Sequence, residues 1–487
     1  MIGLVLRLLG ARGDLWLDEI WSFALIEPLT SIDQIFWRVN HDNNHFLNSV
    51  YLYLIGPDAS PGIQRGLSTA LGVATIVAAA ATAAPRGRRA MIATSLLFAV
   101  SYPMVHYGSE ARGYAGLVLF TLLSVVFLER RLDNKRWSGM ALAAAILFGF
   151  LCHLTMIGMV AVLAIWTAWL AWQRTAKIDR VVADLASIFL PGLLAVLPLA
   201  ACVFIGGRLF GFSVGGASPF SIAAFAQGYG GMICSLSGLP PWFGDWPCIV
   251  AACGLVCLSA GVWRDRRASL YAVGIIGLPL LMATAHLPNL EFPRYFIING
   301  TLLLLWAGEM IGRGLDARGT ARLLAMGALA LMVSGNISSL LQFYQYGRGS
   351  YAAMVDEMTR NSAAAYASNS DFRTAMVVDY FAARMDRRAL LVPDDRMCAE
   401  RPAWLILEGD VDKQAEHVEP TAACALAYER ADRSTLGVFR PKLDALPATG
   451  LKQLCLSSSA PQVLSDVDAR RLQPVIRKLP SGCSSSV

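Results

Sequence analysis

Two adjacent carboxylates, Asp18 and Glu19, lie in the stretch GDLWLDEIWS (13–22), which directly follows the first apolar segment of the chain. A carboxylate can act as a general base by taking the proton of an attacking nucleophile. The plainer interpretation is a solvated acid pair in a loop, and the pair alone does not decide between the two. Other polar groups in the chain favour chemistry.

Histidine is the usual proton carrier at neutral pH, and it occurs six times. The topology derived below places five of these residues on one side of a membrane: His41, His45, His106, His153 and His286. The sixth, His417, is in the C-terminal region. His41 and His45 are four residues apart, which is metal-ligand spacing on a helix; a polar helix face is the alternative.

Two segments each combine an acid, an arginine and tyrosine just before an apolar run. They contain Tyr107, Glu110, Arg112 and Tyr114 in the first case, and Glu291, Arg294 and Tyr295 in the second. The guanidinium fork of arginine matches phosphate oxygens bidentately, so both segments predict contact with a phosphorylated lipid headgroup. The alternative is an aromatic belt with arginines that reach to the membrane surface.

The composition places these residues on a membrane protein. The 487 residues are 55% hydrophobic and only 16% charged, whereas soluble domains are about 45–50% apolar and about 25% charged. The formal net charge is +6, but the basic residues form short clusters between apolar runs. Such spacing is typical of membrane topology and does not favour nucleic-acid binding.

A membrane-spanning helix needs about 20 apolar residues, and ten runs approach that length. They cover 64–84, 90–105, 113–128, 137–152, 154–172, 181–204, 246–263, 268–286, 295–311 and 321–341. The run 45–56 is shorter and is predicted to lie in the membrane interface. The apolar segment 1–11 would measure only about 16 Å as a helix. We therefore expect the natural chain to begin upstream, with about 11 transmembrane helices of which the first is truncated; a cleaved signal peptide is the alternative.

Positive charge predicts the orientation. Lysines and arginines concentrate in alternate loops, at 86–89, 130–136, 174–180, 264–267 and 313–322. The opposite loops hold few, among them Arg38, Arg65, Arg112, Arg208 and Arg294. Because an excess of positive charge marks the cytoplasmic side, the acid pair and the C-terminal region are predicted to be external.

The first external loop, 13–62, is predicted to contain two juxtamembrane helices. Ser31 and Gln34 have the form of a capping box, and the apolar spacing that follows predicts an amphipathic helix over 32–39. A second helix over 45–56 would carry a polar stripe made of His41, Asn44, His45 and Asn48. Both helices would hold the acid pair against the membrane surface.

A large external loop is predicted over 205–246, with a partial or re-entrant helix from Phe220 to Met232. A loop of this length is more often functional than idle, and we expect it to cover the cleft for the acceptor. Cys234 and Cys248 flank its end and could pair.

The composition becomes mixed after residue 341, which predicts a small external α/β domain over 342–487. A helical pattern at 350–361 precedes apolar runs at 374–380, 389–392 and 403–408 and a late hairpin. Its four cysteines allow three pairings, of which we favour Cys398 with Cys424 and Cys455 with Cys483. No glycine fingerprint for nucleotide binding is present, so a nucleotide-sugar donor is not supported.

Four motifs carry a resemblance to a known family. They are LWLDEIWS (15–22), HDNNHFLNSVYLYLIG (41–56), YGSEARGYAG (107–116) and PRYF (293–296). With them the chain resembles the GT-C superfamily of polyprenyl-phosphate-sugar glycosyltransferases. Within it, the chain is similar to the family 39-like branch that contains protein O-mannosyltransferases and the lipid A aminoarabinose transferase. The resemblance implies that 1–341 is a polytopic α-helical catalytic domain of GT-C type.

The resemblance also implies roles for the matching residues. Asp18 looks like the catalytic general base, with Glu19 as its support or as part of a metal site. Donor-phosphate binding falls to Arg112, Arg294, Tyr107 and Tyr295. Acceptor or supporting roles fall to His41, Asp42, His45 and Glu110. A divalent metal is the one cofactor left open, and its candidate ligands are Glu19, His41 and His45. The family often has a histidine-proline or lysine-proline element where this chain has HDNN.

The implied function is that of a multi-pass glycosyltransferase in a bacterial-type inner membrane. It would move a sugar from a polyprenyl-phosphate donor to a lipid, glycan or protein acceptor on the external face, in one inverting displacement. A transporter or flippase for a lipid-linked sugar is one alternative, although the spans show almost no mid-membrane charge and no internal repeat. A non-catalytic envelope-assembly protein is the other; only Asp18, Arg112 and Arg294 argue against it.

Overall fold

The computed structural model describes residues 1–135, 137–262, 265–348, 351–361, 363–368, 370–393, 395–400, 402–407, 429–430 and 475–478. They belong to two compact units. The first comprises Met1–Arg12 and Ser22–Tyr344, and the second comprises Gly13–Trp21 and Gln345–Val487. The sequence places all of 13–62 in the membrane domain, so the grouping of Gly13–Trp21 with the C-terminal residues differs from that expectation.

The described part of the chain up to residue 346 is mainly helical. In chain order the helices are α1 (Ile2–Gly10), α2 (Leu17–Ile26), α3 (Gln34–Trp37), α4 (Phe46–Ile55), α5 (Pro61–Gln64), α6 (Gly66–Ala83), α7 (Arg88–Val100), α8 (Tyr102–Tyr107), α9 (Tyr114–Leu132), α10 (Ser138–Cys152), α11 (Met156–Thr175), α12 (Ile178–Phe210), α13 (Ile222–Ser237), α14 (Asp245–Val262), α15 (Arg266–Tyr271), α16 (Leu278–Thr284), α17 (Ile297–Asp316) and α18 (Thr320–Tyr346). A π-helical segment, Ala272–Gly277, joins α15 to α16.

The helices fall on the predicted apolar runs. Within the described residues, six helical segments are long and apolar enough to cross a membrane by length and composition: Gly66–Arg86, Met156–Thr175, Ile178–Phe210, Arg266–Thr284, Pro293–Asp316 and Thr320–Gln345. The other runs form shorter or broken helices. The prediction of a polytopic α-helical protein is confirmed.

The sequence predicts one span over 90–105, but the structure breaks it between α7 and α8. A break frees backbone groups that cannot be left unsatisfied away from water. Arg7, which is fully buried in α1, donates to the carbonyl of Phe98 at 3.1 Å. Asn336 of α18 accepts the backbone N–H of Tyr102 at 2.7 Å. Two polar side chains from distant helices therefore satisfy the broken backbone.

Helices α7 and α17 approach closely because α17 carries two glycines four residues apart. A Cβ at Gly308 would lie 2.3 Å from the Thr94 hydroxyl, and a Cβ at Gly312 would lie 2.2 Å from the Cα of Ala90. Small residues at this spacing allow helix backbones to pack against each other within a membrane.

Charged side chains form a buried cluster where several helices end. Arg267 is 1% exposed, donates to Glu129 through Nε at 2.7 Å and forms an ion pair with Glu309. Beside it, Asp265 accepts a hydrogen bond from Arg86 at 2.7 Å. The arginines of these loops therefore hold helix ends together in addition to marking the topology.

Replacing Arg267 by glutamine should destabilise the protein by about 3–5 kcal/mol, because it removes the nearest cation of the buried carboxylates of Glu129 and Glu309. Only the more distant Arg266, at 3.5 Å, and Arg86, at 3.7 Å, would remain beside them. Thermal unfolding of the purified protein in detergent measures the effect. Arg88→Gln, at an exposed arginine of the same region, is the control and should leave the midpoint unchanged. Equal midpoints for wild type and Arg267→Gln would contradict the prediction.

The first juxtamembrane helix is shorter than the 32–39 expected. It occupies a single turn, α3, and its capping differs because the side chain of Gln34 accepts the backbone N–H of Thr30 at 3.1 Å. Asn44 then donates to the carbonyls of Ile35 and Val39, both at 2.8 Å. These bonds end the turn and tie it to α4.

The second juxtamembrane helix begins at Phe46, so His45 precedes it. His41 lies outside any helix, in a bridge with Ser213. The prediction that His41 and His45 share one helix face is therefore wrong, because the backbone is extended or turned between them.

The loop predicted over 205–246 is largely helical. Helix α12 continues to Phe210, α13 replaces the partial helix expected there, and α14 begins at Asp245. Ser221 caps α13 by accepting the Ala224 N–H at 3.0 Å. The predicted pairing of Cys234 with Cys248 is confirmed as a disulfide.

The second unit contains helices and strands, as expected for an α/β domain, while most of the hairpin predicted over 425–440 lies outside the described residues. Its helices are α19 (Tyr351–Thr359), α20 (Asp371–Arg384) and α21 (Met397–Glu400), and its strands are β1 (Ala364–Ser368), β2 (Ala389–Leu391), β3 (Trp404–Leu407), β4 (Glu429–Arg430) and β5 (Val475–Lys478). The sheet order is β2-β1-β3-β5-β4, with β1 parallel to β2 and β3, and β5 antiparallel to β3 and β4. The apolar run 374–380 lies in α20. The cysteine pairs and His417 fall outside the part of the chain whose side chains the structure describes.

Candidate functional site

The acid pair lies at the start of helix α2, in the part of that helix that belongs to the second unit. Both carboxylates lie in the first turn of the helix, where the helix dipole favours negative charge. Glu19 is fully buried, and its Oε2 accepts the backbone N–H of Trp16 at 3.2 Å. Asp18 is half-buried. Glu19 therefore caps the helix N-terminus, and Asp18 is the more exposed of the two carboxylates.

The segment that carries Arg112, in the first unit, is held by contacts from three helices. Asn48 of α4 donates to the carbonyl of Ala111 at 2.7 Å, and Ser68 of α6 donates to the carbonyl of Arg112 at 2.9 Å. A Cβ at Gly113 would lie 1.8 Å from a carbonyl oxygen at the end of α10. A glycine is required here, since the backbone passes directly against α10.

The Arg112 side chain lies in a polar and aromatic environment. Its Nη2 donates to Asn43 Oδ1 at 2.7 Å, and its Nη1 lies 3.7 Å from Oε1 of the fully buried Glu110. Its Cζ is 4.9 Å from the ring centroid of Tyr114, which in turn lies 5.1 Å from the ring of Tyr107. Four residues of the predicted segment thus meet at one place.

Two histidines complete this cluster. The ring centroids of His45 and His153 are 4.8 Å apart, and they lie 5.6 and 4.9 Å from the ring of Tyr114. His45 is 2% exposed and His153 is half-buried. The three rings therefore form a compact group beside Arg112, which we call the histidine–tyrosine cluster (His45, His153, Tyr114).

Arg294, in the other predicted segment, acts on the same cluster through its charge. It belongs to the short helical turn Pro293–Phe296 that precedes α17, and its Cζ lies 4.3 Å from the ring centroid of Phe292 and 5.9 Å from that of Tyr295. Its positive charge acts on both His45 and His153. The two predicted phosphate-binding arginines therefore bear on one pair of histidines.

These surroundings keep both histidines neutral. Burial, the neighbouring His153 and the charges of Arg112 and Arg294 hold the pKa of His45 well below its usual value. Burial and the same two arginines lower the pKa of His153, against a smaller opposing effect of Asp42. Both rings are therefore uncharged at neutral pH and can gain a proton when negative charge arrives.

His41 and Asp42 lie beside the loop 211–221. The Asp42 carboxylate is 2.8 Å from His41 Nδ1 and accepts the backbone N–H of Gly215 at 3.1 Å. Burial alone would raise the pKa of Asp42, but the hydrogen bonds from His41 and Gly215 and the nearby charges of His41 and Arg112 outweigh it and lower that pKa. Asp42 is therefore ionised and anchors the loop.

The same loop is held at two places. The backbone N–H of Ser213 donates to the carbonyl of Asn40 at 2.9 Å. Further along, the Ser218 N–H donates to the Asn289 side chain at 2.7 Å, and the Asn289 amide donates back to a loop carbonyl at 3.1 Å. The loop 211–221 thus joins the segment before His41 to the segment before Arg294.

Two of the candidate metal ligands have bonding partners within their own units. Among the described residues, no three or more His, Cys, Asp or Glu side chains are placed to hold a metal ion. His41 contacts Asp42, while Glu19 bonds to the backbone of Trp16. Metal binding by Glu19, His41 or His45 therefore stays a prediction.

These helices and this site invite comparison with solved structures. The chain is similar to ArnT. The crystal structure of ArnT from Cupriavidus metallidurans bound to undecaprenyl phosphate matches 87% of this chain and 95% of its own, with 14% identity and a TM-score of 0.47. The structure of the same protein in the apo state matches 86% and 94%, with 14% identity and a TM-score of 0.48. No protein-family model and no curated protein matches the chain.

Sequence reasoning assigned no role to two residues of the site, His153 and Asn43. His153 follows the apolar run that forms α10, and its position at a predicted external helix end was the available signal. Asn43 lies between His41 and His45, and no spacing rule marks it as the partner of Arg112.

Proposed function

We propose that this chain is an integral-membrane glycosyltransferase that transfers a sugar from a polyprenyl-phosphate-linked donor to an envelope acceptor on the external face. The observation that carries the proposal is the position of the buried Arg112, which bonds to Asn43 and lies 4.9 Å from the ring of Tyr114 in the histidine–tyrosine cluster, where the charge of Arg294 also acts. Two arginines and neutral hydrogen-bonding rings form a site for a phosphate group.

In this reaction the acceptor attacks the anomeric carbon from the face opposite the phosphate, which inverts its configuration. Asp18 takes the proton of the acceptor, and the bond between the anomeric carbon and the phosphate oxygen breaks. Arg112 and Arg294 stabilise the negative charge that develops on the leaving phosphate. Tyr107 and Tyr295 flank the two arginines and line the site for the headgroup.

We assign the binding of the acceptor to the residues around the loop 211–221. His41 and Asp42 contact that loop. Glu110 has a supporting role, since its carboxylate lies 3.7 Å from the Arg112 guanidinium. We assign the loop to covering the acceptor, because it spans from the segment before His41 to the segment before Arg294.

The external orientation has support from two independent features. Lysines and arginines concentrate in the opposite set of loops, which favours the cytoplasm for those loops. Disulfides persist mainly in oxidising compartments, and the Cys234–Cys248 disulfide joins the end of α13 to the start of α14, on either side of a loop of the predicted external set.

Removing this disulfide should lower the free energy of unfolding by about 3 kcal/mol, as expected for a closed loop of this length. The double variant Cys234→Ser with Cys248→Ser is compared with wild type by thermal unfolding, with and without reductant. Cys257→Ser, at an exposed free cysteine of α14, is the control. A wild-type protein that reacts with thiol reagents at Cys234 and Cys248 would contradict the prediction.

Profiling of envelope glycolipids and glycoproteins tests the proposed function. A deletion strain is compared with a strain that carries Asp18→Asn at normal abundance. The same missing glycoconjugate in both establishes a transferase. A normal profile in the point variant would overturn the proposal in favour of a transporter or an assembly protein.

A further inference from the structure

The segment that carries Asp18 is folded with the C-terminal part of the chain, to which the reaction above gives no role. Gly13–Trp21 belong to the same compact unit as Gln345–Val487. Asp18 lies in the first turn of α2, and helix ends fray readily because their first N–H groups have no partner within the helix. The position of the carboxylate therefore depends on what holds the segment around this turn.

One contact holds the chain just before Asp18. Oδ2 of Asp14 accepts the backbone N–H of Ala352 at 2.8 Å. Ala352 is the second residue of α19, so its N–H has no acceptor within that helix, and the helix dipole favours a carboxylate at this end. Leu15, the next residue of the segment, is buried. Asp14 thus caps α19 and fixes the chain shortly before the base.

A second contact holds the face of α2 on which Asp18 lies. Trp21 follows Asp18 by three residues, and residues at this spacing are neighbours on one face of a helix. The rings of Trp21 and Phe372 meet edge to face, with centroids 5.3 Å apart and planes inclined by 67°, an arrangement that aromatic pairs favour. Phe372 is the second residue of α20. The start of α20 therefore supports α2 on the side of Asp18.

Helices α19 and α20 form one support for these two contacts. The rings of Tyr351 in α19 and Phe381 in α20 are stacked, with centroids 6.3 Å apart. The start of α20 is tied to the sheet, since the hydroxyls of Ser368 in β1 and Thr374 in α20 lie 2.6 Å apart. Both ends of the segment around Asp18 are thus attached to elements that are themselves fixed within the unit.

We propose that α19 and α20 position the general base, and that Asp14, Trp21 and Phe372 are the positioning residues through which they act. This role rests on the proposed function, because it concerns the proton transfer assigned to Asp18. A base must lie within hydrogen-bond reach of the proton that it takes, and a displacement of about 1 Å can cost about 10²-fold in rate. The C-terminal unit is therefore part of the catalytic apparatus.

Steady-state kinetics of the full chain in lipid nanodiscs tests this role. The donor is a polyprenyl-phosphate sugar labelled in its sugar, and the acceptor is the envelope fraction of a deletion strain. Asp14→Ala removes the cap and Phe372→Ala removes the ring, and each should lower kcat about tenfold or more. The KM for the donor should change by less than about twofold, because neither variant alters the phosphate site.

Matched variants separate positioning from other roles. Asp14→Asn keeps an oxygen for the Ala352 N–H but cannot take a proton, and since asparagine caps helices as well as aspartate does, its kcat should stay within about threefold of wild type. Asp395→Ala and Leu390→Ala change exposed side chains of the same unit and should keep the wild-type rate. Phe372 is 60% exposed, so its removal leaves no cavity, and this variant decides the matter even if Asp14→Ala does not fold.

Hydrogen exchange measured by mass spectrometry reports the same coupling without a substrate. The backbone amides of residues 15–21 should exchange faster in Asp14→Ala and Phe372→Ala than in wild type, because local opening of the first turn then costs less free energy. Exchange in Asp14→Asn and in the two controls should match wild type.

The outcomes separate this role from the proposed function. Wild-type kcat, or unchanged exchange, in both alanine variants would overturn the positioning role and leave the transferase intact. A loss of kcat that Asp14→Asn does not restore would exclude capping by Asp14, since its carboxylate would then take part in the chemistry. A wild-type protein that transfers no sugar, with exchange altered as expected, would instead overturn the proposed function.

Discussion

Asp18→Asn should abolish measurable sugar transfer while the protein remains folded and inserted in the membrane. General-base assistance is typically worth 10²–10⁴-fold, and asparagine has nearly the shape of aspartate but cannot accept the proton. Asp18 is half-buried in the first turn of α2, and the neighbouring Glu19 is bonded to the backbone of Trp16. Initial rates with a purified polyprenyl-phosphate sugar measure the effect.

Two controls bracket this experiment. Asp58→Asn changes an exposed aspartate of the first unit and should keep the wild-type rate. Glu19→Gln weakens the bond to the Trp16 N–H and should lower stability more than it lowers the rate per folded molecule. If Asp18→Asn keeps more than about a tenth of the wild-type rate, the general-base role is wrong.

Arg112→Gln should lower kcat/KM for the donor by about 10²–10³-fold, the range found when one group that stabilises a developing negative charge is removed. Arg112 bonds to Asn43 and lies beside Glu110 in a buried site, so the lost charge cannot be replaced by solvent. Arg112→Lys tests the geometry: it keeps the charge but loses the fork that binds two oxygens, and we expect an intermediate rate.

Arg38→Gln is the matched control for Arg112→Gln, because it removes an exposed arginine of the same predicted membrane face. It should leave kcat/KM unchanged. Arg294→Gln should resemble Arg112→Gln if both arginines bind one phosphate. Loss of activity in Arg294→Gln with full activity in Arg112→Gln would contradict the two-arginine site.

Much of the helical architecture follows from the sequence, because an apolar run of nearly span length can satisfy its backbone in a bilayer only as a helix. The predicted runs 181–204 and 321–341 correspond to helices α12 and α18. Both helices extend beyond the runs, since polar residues continue a helix where hydropathy no longer detects it. The break between α7 and α8 has a local signal in Pro103, at the start of α8. The groups that satisfy the broken backbone, Arg7 and Asn336, could not be predicted, because they are far away in the sequence.

The site was predicted in part for the same reason. Arg112 and Arg294 stand in short motifs, and each motif could be found alone. The role of His153 depends on contacts with His45 and Tyr114 from other parts of the chain, and no local pattern contains them. The spacing of His41 and His45 was misleading, because a four-residue interval has meaning only on a helix and the chain is not helical there.

The use of basic residues as markers of topology did not reveal that some of them form buried ion pairs. Arg86 and Arg267 were counted only as signs of a cytoplasmic loop, yet each forms an ion pair with an acid from another part of the chain. Charge counting treats every arginine alike, whether it faces water or a buried carboxylate.

The loop 211–221 is held in place mainly through its backbone, so few of its side chains are needed to keep its position. The bonds to Asn40, Asp42 and Asn289 are made mostly by backbone groups of the loop, while the specific side chains belong to the partners. Such a segment can exchange residues while it keeps its place, much as an antibody loop varies on a constant framework. Since we propose that this loop covers the acceptor, positions 214, 215, 217 and 218 are the natural place to diversify this protein, by evolution or in the laboratory, when a different acceptor is sought. Gly216 is excepted, because its positive φ of 117° favours glycine.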